Sequence, residues 1–516
     1  MKLRSGALTA AIVLVLWEVT GRLRLVADGA FPALSAIIRQ WWRDRHDYPP
    51  HVAATLRSAS AGFLIGVLIA VVSALIFSAI PLVERLFRGV TVTLFAVPLI
   101  AVVPVLLIAF HGSTPRIIVA AMAVYYPTMV STLEGLRRID PRLADVIRAS
   151  GGGPREITRW VRLRSALPSF LSGLRVAAPA ALLGALLAEF GGGIRWGLGS
   201  YLLASLGRAL PSRIWGIGLV STIIASLAYA IFSVLATKAG RTLSDVTTAT
   251  AAPTAGRASS EPWPKRIVLG VASGGIVIGL WALAIELLDI SPIVAKSPAG
   301  VVRYLVTGPR GASARTRLLH ALGQTLPISL LGLACGIAGA FLLAVLLSLK
   351  PTIGRATLPF ALVTQTMPLS ALTPILVLVF GRSILAMVMV TITVTFFPSF
   401  VTILQGLSEA PAGPVAVVSA YGGGALTKLR FVAIPHAASH LLTACRLAAP
   451  RALLGVMIAE YLATGTGLGN LLNESRGRLE YGMIWTVAAV AVGIAVFVTM
   501  LVQVAERQVG RRYGAA

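Results

Sequence analysis

The chain has 516 residues, 56% of them hydrophobic and 12% charged, with a mean hydropathy of +0.85, whereas soluble domains run near a quarter charged; this is not a soluble protein. The formal net charge of +26 comes from 45 Lys and Arg against 19 Asp and Glu. Basic residues beside membrane spans set orientation, and no recognition motif with interleaved aromatics accompanies them, so the charge does not point to nucleic acid.

In chain order, Met1-Lys2-Leu3-Arg4 precedes an apolar stretch reaching Trp17, which has the look of a secretory leader. Lys265-Arg266 precedes a similar run to Leu280-Trp281, and an internal copy cannot be a leader. Both are read as uncleaved first helices of a repeat. Spans follow by apolar length at about 54 to 80, 86 to 110, 115 to 135, 168 to 190 and 213 to 237. The segment Ser35 to Trp42 is read as an amphipathic helix in the interface, where Arg and Trp are both comfortable.

The same order then returns. Val97-Pro98-Leu99 and Pro104 recur as Met367-Pro368-Leu369 and Pro374, and Tyr125-Tyr126-Pro127 as Phe396-Phe397-Pro398. From Asp145 to Glu189 a shift of 271 holds without a gap, and about two fifths of the positions are identical. The second set of spans is expected at about 266 to 288, 325 to 349, 356 to 380, 383 to 405, 439 to 463 and 482 to 505. The predicted fold is all-α and integral to the membrane, a tandem repeat of six transmembrane helices with about 12 spans. The first unit covers 1–240, a Thr/Ala/Ser/Pro-rich linker 241–264, and the second unit 265–516. An even number of spans makes the repeat parallel, with a pseudo-twofold along the membrane normal. Arginines crowd the loop after span four (Arg137, Arg138, Arg142, Arg148, Arg155, Arg159, Arg162 and Arg164), which places that loop, the linker and both termini in the cytoplasm.

That loop is patterned. Asp140-Pro141 has the form of a helix start. Gly151-Gly152-Gly153 permits a sharp turn without a Cβ penalty, and Pro154 opens a second helix. The expected product is a helical elbow on the cytoplasmic face, made twice. At these residues the chain resembles the membrane subunits of binding-protein-dependent ABC importers, whose cytoplasmic loop carries E-A-A, three residues, G, nine residues, then I-x-L-P. Asp145-Val146-Ile147, Gly151 and Val161-Arg162-Leu163 follow it in the first half, with Arg164 where proline is expected. Gly422, Val432, Ile434 and Pro435 follow it in the second, with Ala416 at the acidic position. The P-x5-P element, the Ala-Glu ending span five (Glu189, Glu460) and the next Gly-Leu-Gly (Gly197 to Gly199, Gly467 to Gly469) are similar to the nitrate/sulfonate/taurine permease branch.

The resemblance implies a type I importer membrane domain with two permease units fused in one chain. Each elbow would insert a coupling helix into one of two ABC ATPase subunits, and an extracytoplasmic substrate-binding protein would deliver the cargo: a small oxyanion, a sulfonate or a vitamin precursor. Its setting would be the lipid of a bacterial plasma membrane. Glu189, Glu460 and the Gly-Leu-Gly turns are candidate gate or translocation-path residues, and two roles are open for the carboxylates: accepting backbone hydrogen bonds, or lining the path.

No G-x4-G-K-[ST] loop occurs in the chain, so it is read as a non-enzyme that binds no cofactor, with ATP hydrolysis in partner subunits. Cys335 and Cys445 have no ligating spacing, and His436 and His440, one turn apart, are read as structural rather than as metal ligands. Two rivals remain. A secondary transporter also has six plus six helices, but it usually carries its conspicuous loop between spans two and three, where this chain has only Pro81 to Gly89. A membrane enzyme could use Glu189 and Glu460 as an acid/base pair, although duplicated glutamates are more simply a symmetric structural feature.

Overall fold

The computed structural model describes residues 2–137, 141–191, 195–239, 263–287, 289, 291–349 and 369–512. The linker expected at 241–264 lies almost wholly outside the described residues, as do Asp140, Arg138, Met367-Pro368 and the first part of the span expected at 356 to 380.

The described residues form helices and no strands. In the first half these are α1 (Lys2–Arg22), α2 (Leu34–Arg43), α3 (Tyr48–Ala79), α4 (Pro81–Ala96), α5 (Leu99–Ala109), α6 (Thr114–Arg137), α7 (Pro141–Ala149), α8 (Pro154–Phe190), α9 (Leu198–Gly207) and α10 (Pro211–Lys238). The second half repeats the order with α11 (Trp263–Leu287), α12 (Pro298–Val306), α13 (Gly311–Leu349), α14 (Leu369–Phe380), α15 (Ile384–Ser408), α16 (Ala412–Ala420), α17 (Ala425–Leu462), α18 (Gly467–Gly477) and α19 (Tyr481–Arg512). Among the described residues nine helices are long and apolar enough to cross a membrane, or ten when a bent pair counts as one span. In α2, Ile37 is buried while Trp41 and Trp42 are exposed, the one-sided burial of a helix that lies on a surface.

The bent pair differs from the straight span expected at 86 to 110. Helices α4 and α5 meet at 98°. Pro98 lacks the N–H that would continue the ladder and drives the residue before it out of the helical region; Val97 accordingly sits at ψ 120°. The bend sends α5 into the other half of the molecule, where it packs against α17, α18 and α19, while α14 packs reciprocally against α8, α9 and α10. The largest apolar core therefore belongs to both halves: Leu99, Ile100 and Val103 share it with Met457, Leu468 and Ile484.

Within each half, glycines let helices approach closely. Cβ atoms on Gly62 and Gly66 of α3 would collide with Ala120 and Val124 of α6; on Gly332 and Gly336 of α13 they would collide with Thr391 and Thr395 of α15. The first helices dock alike as well. Trp17 meets Trp215 of α10 with ring centroids 5.3 Å apart, and Trp281 stacks on Trp485 of α19 at 5.8 Å. Trp215 and Trp485 donate to the carbonyls of Ala30 and Val294, so α1 is seated as its internal copy α11 is.

Candidate functional site: an elbow and a carboxylate at opposite ends of one helix

Helix α8 has 37 residues and α17 has 38. At 1.5 Å per residue each is about 55 Å long, well beyond the roughly 30 Å hydrocarbon thickness. The elbow at one end and Glu189 or Glu460 at the other therefore occupy opposite faces of the membrane.

The elbow turn closes in the same way in both copies. Gly151 and Gly422 adopt φ of +80° and +76°, the left-handed conformation that glycine enters without steric cost. The next N–H reaches back five residues, Gly152 to the Ile147 carbonyl and Gly423 to the Val418 carbonyl, each at 2.8 Å; this is the double bond pattern that satisfies a helix's last carbonyls. The first turn also captures its neighbour: Gly153 N–H donates to Glu156 Oε2 at 2.9 Å, with Pro154 at the first helical position. Thr427 stands at the position of Glu156 in the second copy. Both elbows then relax into one wider π-turn, over Thr158–Arg162 and Leu429–Ala433.

The elbows differ in what holds them. Ala144 of α7 is buried with Ile157 and Val161, a small core of the elbow's own, whereas α16 buries no residue. Leu429 and Val432 are buried beneath the second elbow, and Val417, Tyr421, Leu426 and Phe431 stand exposed on it, Tyr421 at 89%. Asp145 is exposed and pairs with Arg148 at 2.7 Å. Leu163 is exposed, while Ile434 and Pro435 begin the straight part of α17.

At the far end, Glu189 accepts from Thr55 Oγ1 and from the Gly199 N–H, both at 2.7 Å, and Leu198 N–H donates to Thr55 Oγ1 at 2.8 Å. Glu460 repeats this with Thr325 Oγ1 at 2.8 Å and Gly469 N–H at 2.9 Å, and Leu468 N–H donates to Thr325. Each carboxylate thus joins span two, span five and the turn that starts the next short helix. Gly197 and Gly467 lie so close that a Cβ on either would strike the carboxylate, and Gly467 also sits at φ +77°.

One difference is electrostatic. Arg116 Nη1 lies 3.7 Å from Glu189 Oε1 and donates to the Trp196 carbonyl; the residue equivalent to Arg116 beside Glu460 is Met387. His51 Nδ1 accepts from the Gly197 N–H at 3.0 Å, and Gln324 Oε1 accepts from the Gly467 N–H at 2.8 Å. Thr55, Thr325, Arg116, His51 and Gln324 were not singled out from sequence. A signal for the threonines was present: Thr55-Leu56 recurs as Thr325-Leu326 in register with Gly62 and Gly332.

Two more residues escaped notice inside the gapless stretch. Arg175 and Arg446 are buried midway along α8 and α17, at a depth where ionisable groups are costly and usually functional. Arg175 lies 5.6 Å over the Tyr229 ring, and Arg446 pairs with Glu506 at 3.1 Å. His436 and His440 have ring centroids 5.8 Å apart, and no group of three potential metal ligands occurs among the described residues.

The end of α2 and span six of the first half are also tied at this face. Asp44 receives two bonds from Arg213 at 2.6 Å, and Gln40 adds a third at 2.9 Å. Burial pushes the Asp44 carboxyl up, but these bonds outweigh it and hold the group below the usual carboxylate range. The stabilisation is present above the ordinary carboxylate pKa and is lost only as pH falls through the lowered one. The second half uses Arg317 and Glu480 at 2.7 Å instead. Removing one partner of a buried pair costs about 3 kcal/mol; Arg213→Met, which installs the residue found at the equivalent position 483, is expected to lower the melting temperature of the purified protein by several degrees. An unchanged melt would show the pair to be dispensable.

A repeated helical unit, each copy with an elbow on one face and a glutamate-held turn on the other, defines an importer membrane domain, and the comparisons agree. Residues 62–244 and 332–514 match the binding-protein-dependent transport system inner membrane component family. The chain belongs to that family, as a multi-pass inner-membrane protein with two permease units fused in tandem. It is 28% identical over 193 residues to a probable ABC transporter permease protein of Haemophilus influenzae, covering 37% of this chain and 79% of that one. It is 30% identical over 190 residues to the formylaminopyrimidine transport permease protein of Halalkalibacterium halodurans, covering 37% and 74%. Against the taurine transport system permease protein of Escherichia coli it is 23% identical over 256 residues, covering 48% and 90%. No solved structure matches the chain significantly.

Proposed function

We propose that this chain forms the complete translocation path of an ATP-driven importer for a small polar solute, with each elbow docked on one ATPase subunit and a substrate-binding protein presenting cargo on the face that carries Glu189 and Glu460. The observation that carries the reading is the pairing, twice over, of an exposed elbow and a buried carboxylate-held turn on one continuous helix of about 55 Å. A movement imposed on the elbow is transmitted along that helix to the opposite face. The cargo is in the class named for the relatives, which transport taurine or a formylaminopyrimidine.

The elbow face is cytoplasmic in this reading, because its arginines follow the positive-inside asymmetry. A reporter fused at Ala251 should behave as cytoplasmic; a periplasmic signal there would overturn the orientation. The function is tested by isolating the full chain from native membranes. An ATPase should copurify, and reconstituted uptake should require ATP. Uptake driven by an ion gradient without an ATPase would instead support the secondary transporter. Asp145→Ala should reduce ATPase retention several-fold, because only the first elbow keeps a carboxylate at this position, where the second has Ala416.

A further inference from the structure

Duplication supplies an internal control in this chain. A contact that only maintains the fold should recur in both halves, as the Thr55–Glu189–Gly199 connection recurs in Thr325–Glu460–Gly469. The lining of a cavity at the carboxylate face of the first half does not recur. The cavity is an open cup of about 370 Å³ lined by Asp47, His51, Arg195, Tyr201, Arg208 and Arg213 among others. At the equivalent positions of the second half Arg195 is replaced by Gly465, His51 by Ala321, Tyr201 by Leu471 and Arg213 by Met483. Arg478, which corresponds to Arg208, is held by Glu474 at 2.8 Å.

The lining is cationic. Three guanidinium groups face one carboxylate, Asp47. Even with Asp44 counted against Arg213, positive charge remains in excess. Arg195 and Arg208 are exposed and stand on either side of α9, one before its first residue and one at its C-cap. The Arg195 guanidinium rests 5.0 Å over the Trp196 ring. The planar fork of arginine matches the oxygens of sulfonate, carboxylate and phosphate, and the volume lies in the range of small-ligand pockets.

We propose that this cup is a binding site for a small anion bearing a sulfonate, carboxylate or phosphate group. It is connected to the turn that Glu189 holds. The His51 ring stacks on Tyr201 at 4.5 Å, with 11° between planes, and its Nδ1 takes the Gly197 N–H. Gly197 lies against the Glu189 carboxylate. An anion between Arg195 and Arg208 rests against His51, and its arrival is felt at the turn. The proposal deepens the importer reading and relies on it only for the statement that this face is outward.

The test uses the full chain in discs of neutral phosphatidylcholine, with methanesulfonate and inorganic sulfate as probes in equilibrium dialysis. One saturable site per chain is expected. The double variant Arg195→Gln/Arg208→Gln should weaken it at least tenfold, and Arg478→Gln should leave it unchanged. These side chains are exposed, so the melting temperature reports that the fold is kept. Absence of saturable binding, or equal loss in Arg478→Gln, would overturn the proposal in favour of scattered surface charge. Phosphatidylglycerol added to the discs should not compete; competition would make the occupant a lipid headgroup and overturn the small-anion site. No ATPase is present, so failure here leaves the importer reading untouched.

Discussion

Glu460→Ala is expected to cut the yield of folded protein by an order of magnitude or more, while Glu460→Gln keeps most of it. The carboxylate is buried and accepts from Thr325 and Gly469. Alanine strands both donors, and each unsatisfied buried group costs about 1–3 kcal/mol; two of them correspond to at least tenfold in the folded fraction. Glutamine keeps one acceptor, for the Gly469 N–H, and its amide can donate to the Thr325 oxygen, so the loss is about one hydrogen bond. At the other site the order changes, because Arg116 lies beside Glu189. A neutral amide there leaves the guanidinium without its carboxylate, so Glu189→Gln should destabilise more than Glu460→Gln. Thermal melting of the purified variants measures this. A Glu460→Gln protein that melts normally but has lost uptake would assign the carboxylate to the solute path rather than to the turn, and equal melting of the two Gln variants would remove the role given to Arg116.

The second large effect is expected at Gly422. A left-handed conformation costs an ordinary residue roughly 1–2 kcal/mol, and a β-branched one more. In the first elbow Ala144, Ile157 and Val161 hold α7 against α8 even when the turn is strained. In the second, α16 has no fully buried residue, so its direction depends more on the turn. Gly422→Val should therefore abolish ATP-dependent uptake and reduce ATPase retention about tenfold, with a smaller loss for Gly151→Val, and in both cases the chain should remain in the membrane. Gly413→Val, in the helix that precedes this turn and with open space around it, is the control. Equal effects of Gly413→Val and Gly422→Val would show that turn geometry is not what the partner reads.

The two elbows are unlike in chemistry as well as in support. The first presents Asp145 and Arg148, groups whose contacts weaken with salt. The second presents Val417, Tyr421 and Phe431, whose burial against a partner does not depend on ionic strength in the same way; Val146 and Trp160 are exposed at the corresponding positions of the first, so the ion pair is what sets the first apart. A stronger salt dependence of docking at the first elbow would follow from this difference.

Much was legible in the sequence because it depends on local pattern or on duplication. Apolar runs of about 20 residues declare spans without reference to neighbours. Gly151 and Gly422 declare turns, since a run of glycines at a helix end is a local backbone signal, and Pro154 adds a helix start in the first copy. The 271-residue shift made each feature count twice. Only the tertiary structure decided the rest. Pro98 and Pro104 stand alike in the sequence, yet the chain turns by 98° at Pro98 and passes through Pro104 within α5: a proline removes a donor wherever it stands, and the packing available decides whether the helix breaks. Thr55 and Glu189 are 134 residues apart and meet because Gly62 and Gly66 bring α3 against α6, and α6 in turn packs on α8. Arg116 reaches Glu189, and Met387 stands in its place in the other half; a charge within a few ångströms is a fact of three-dimensional distance, which no spacing along the chain encodes.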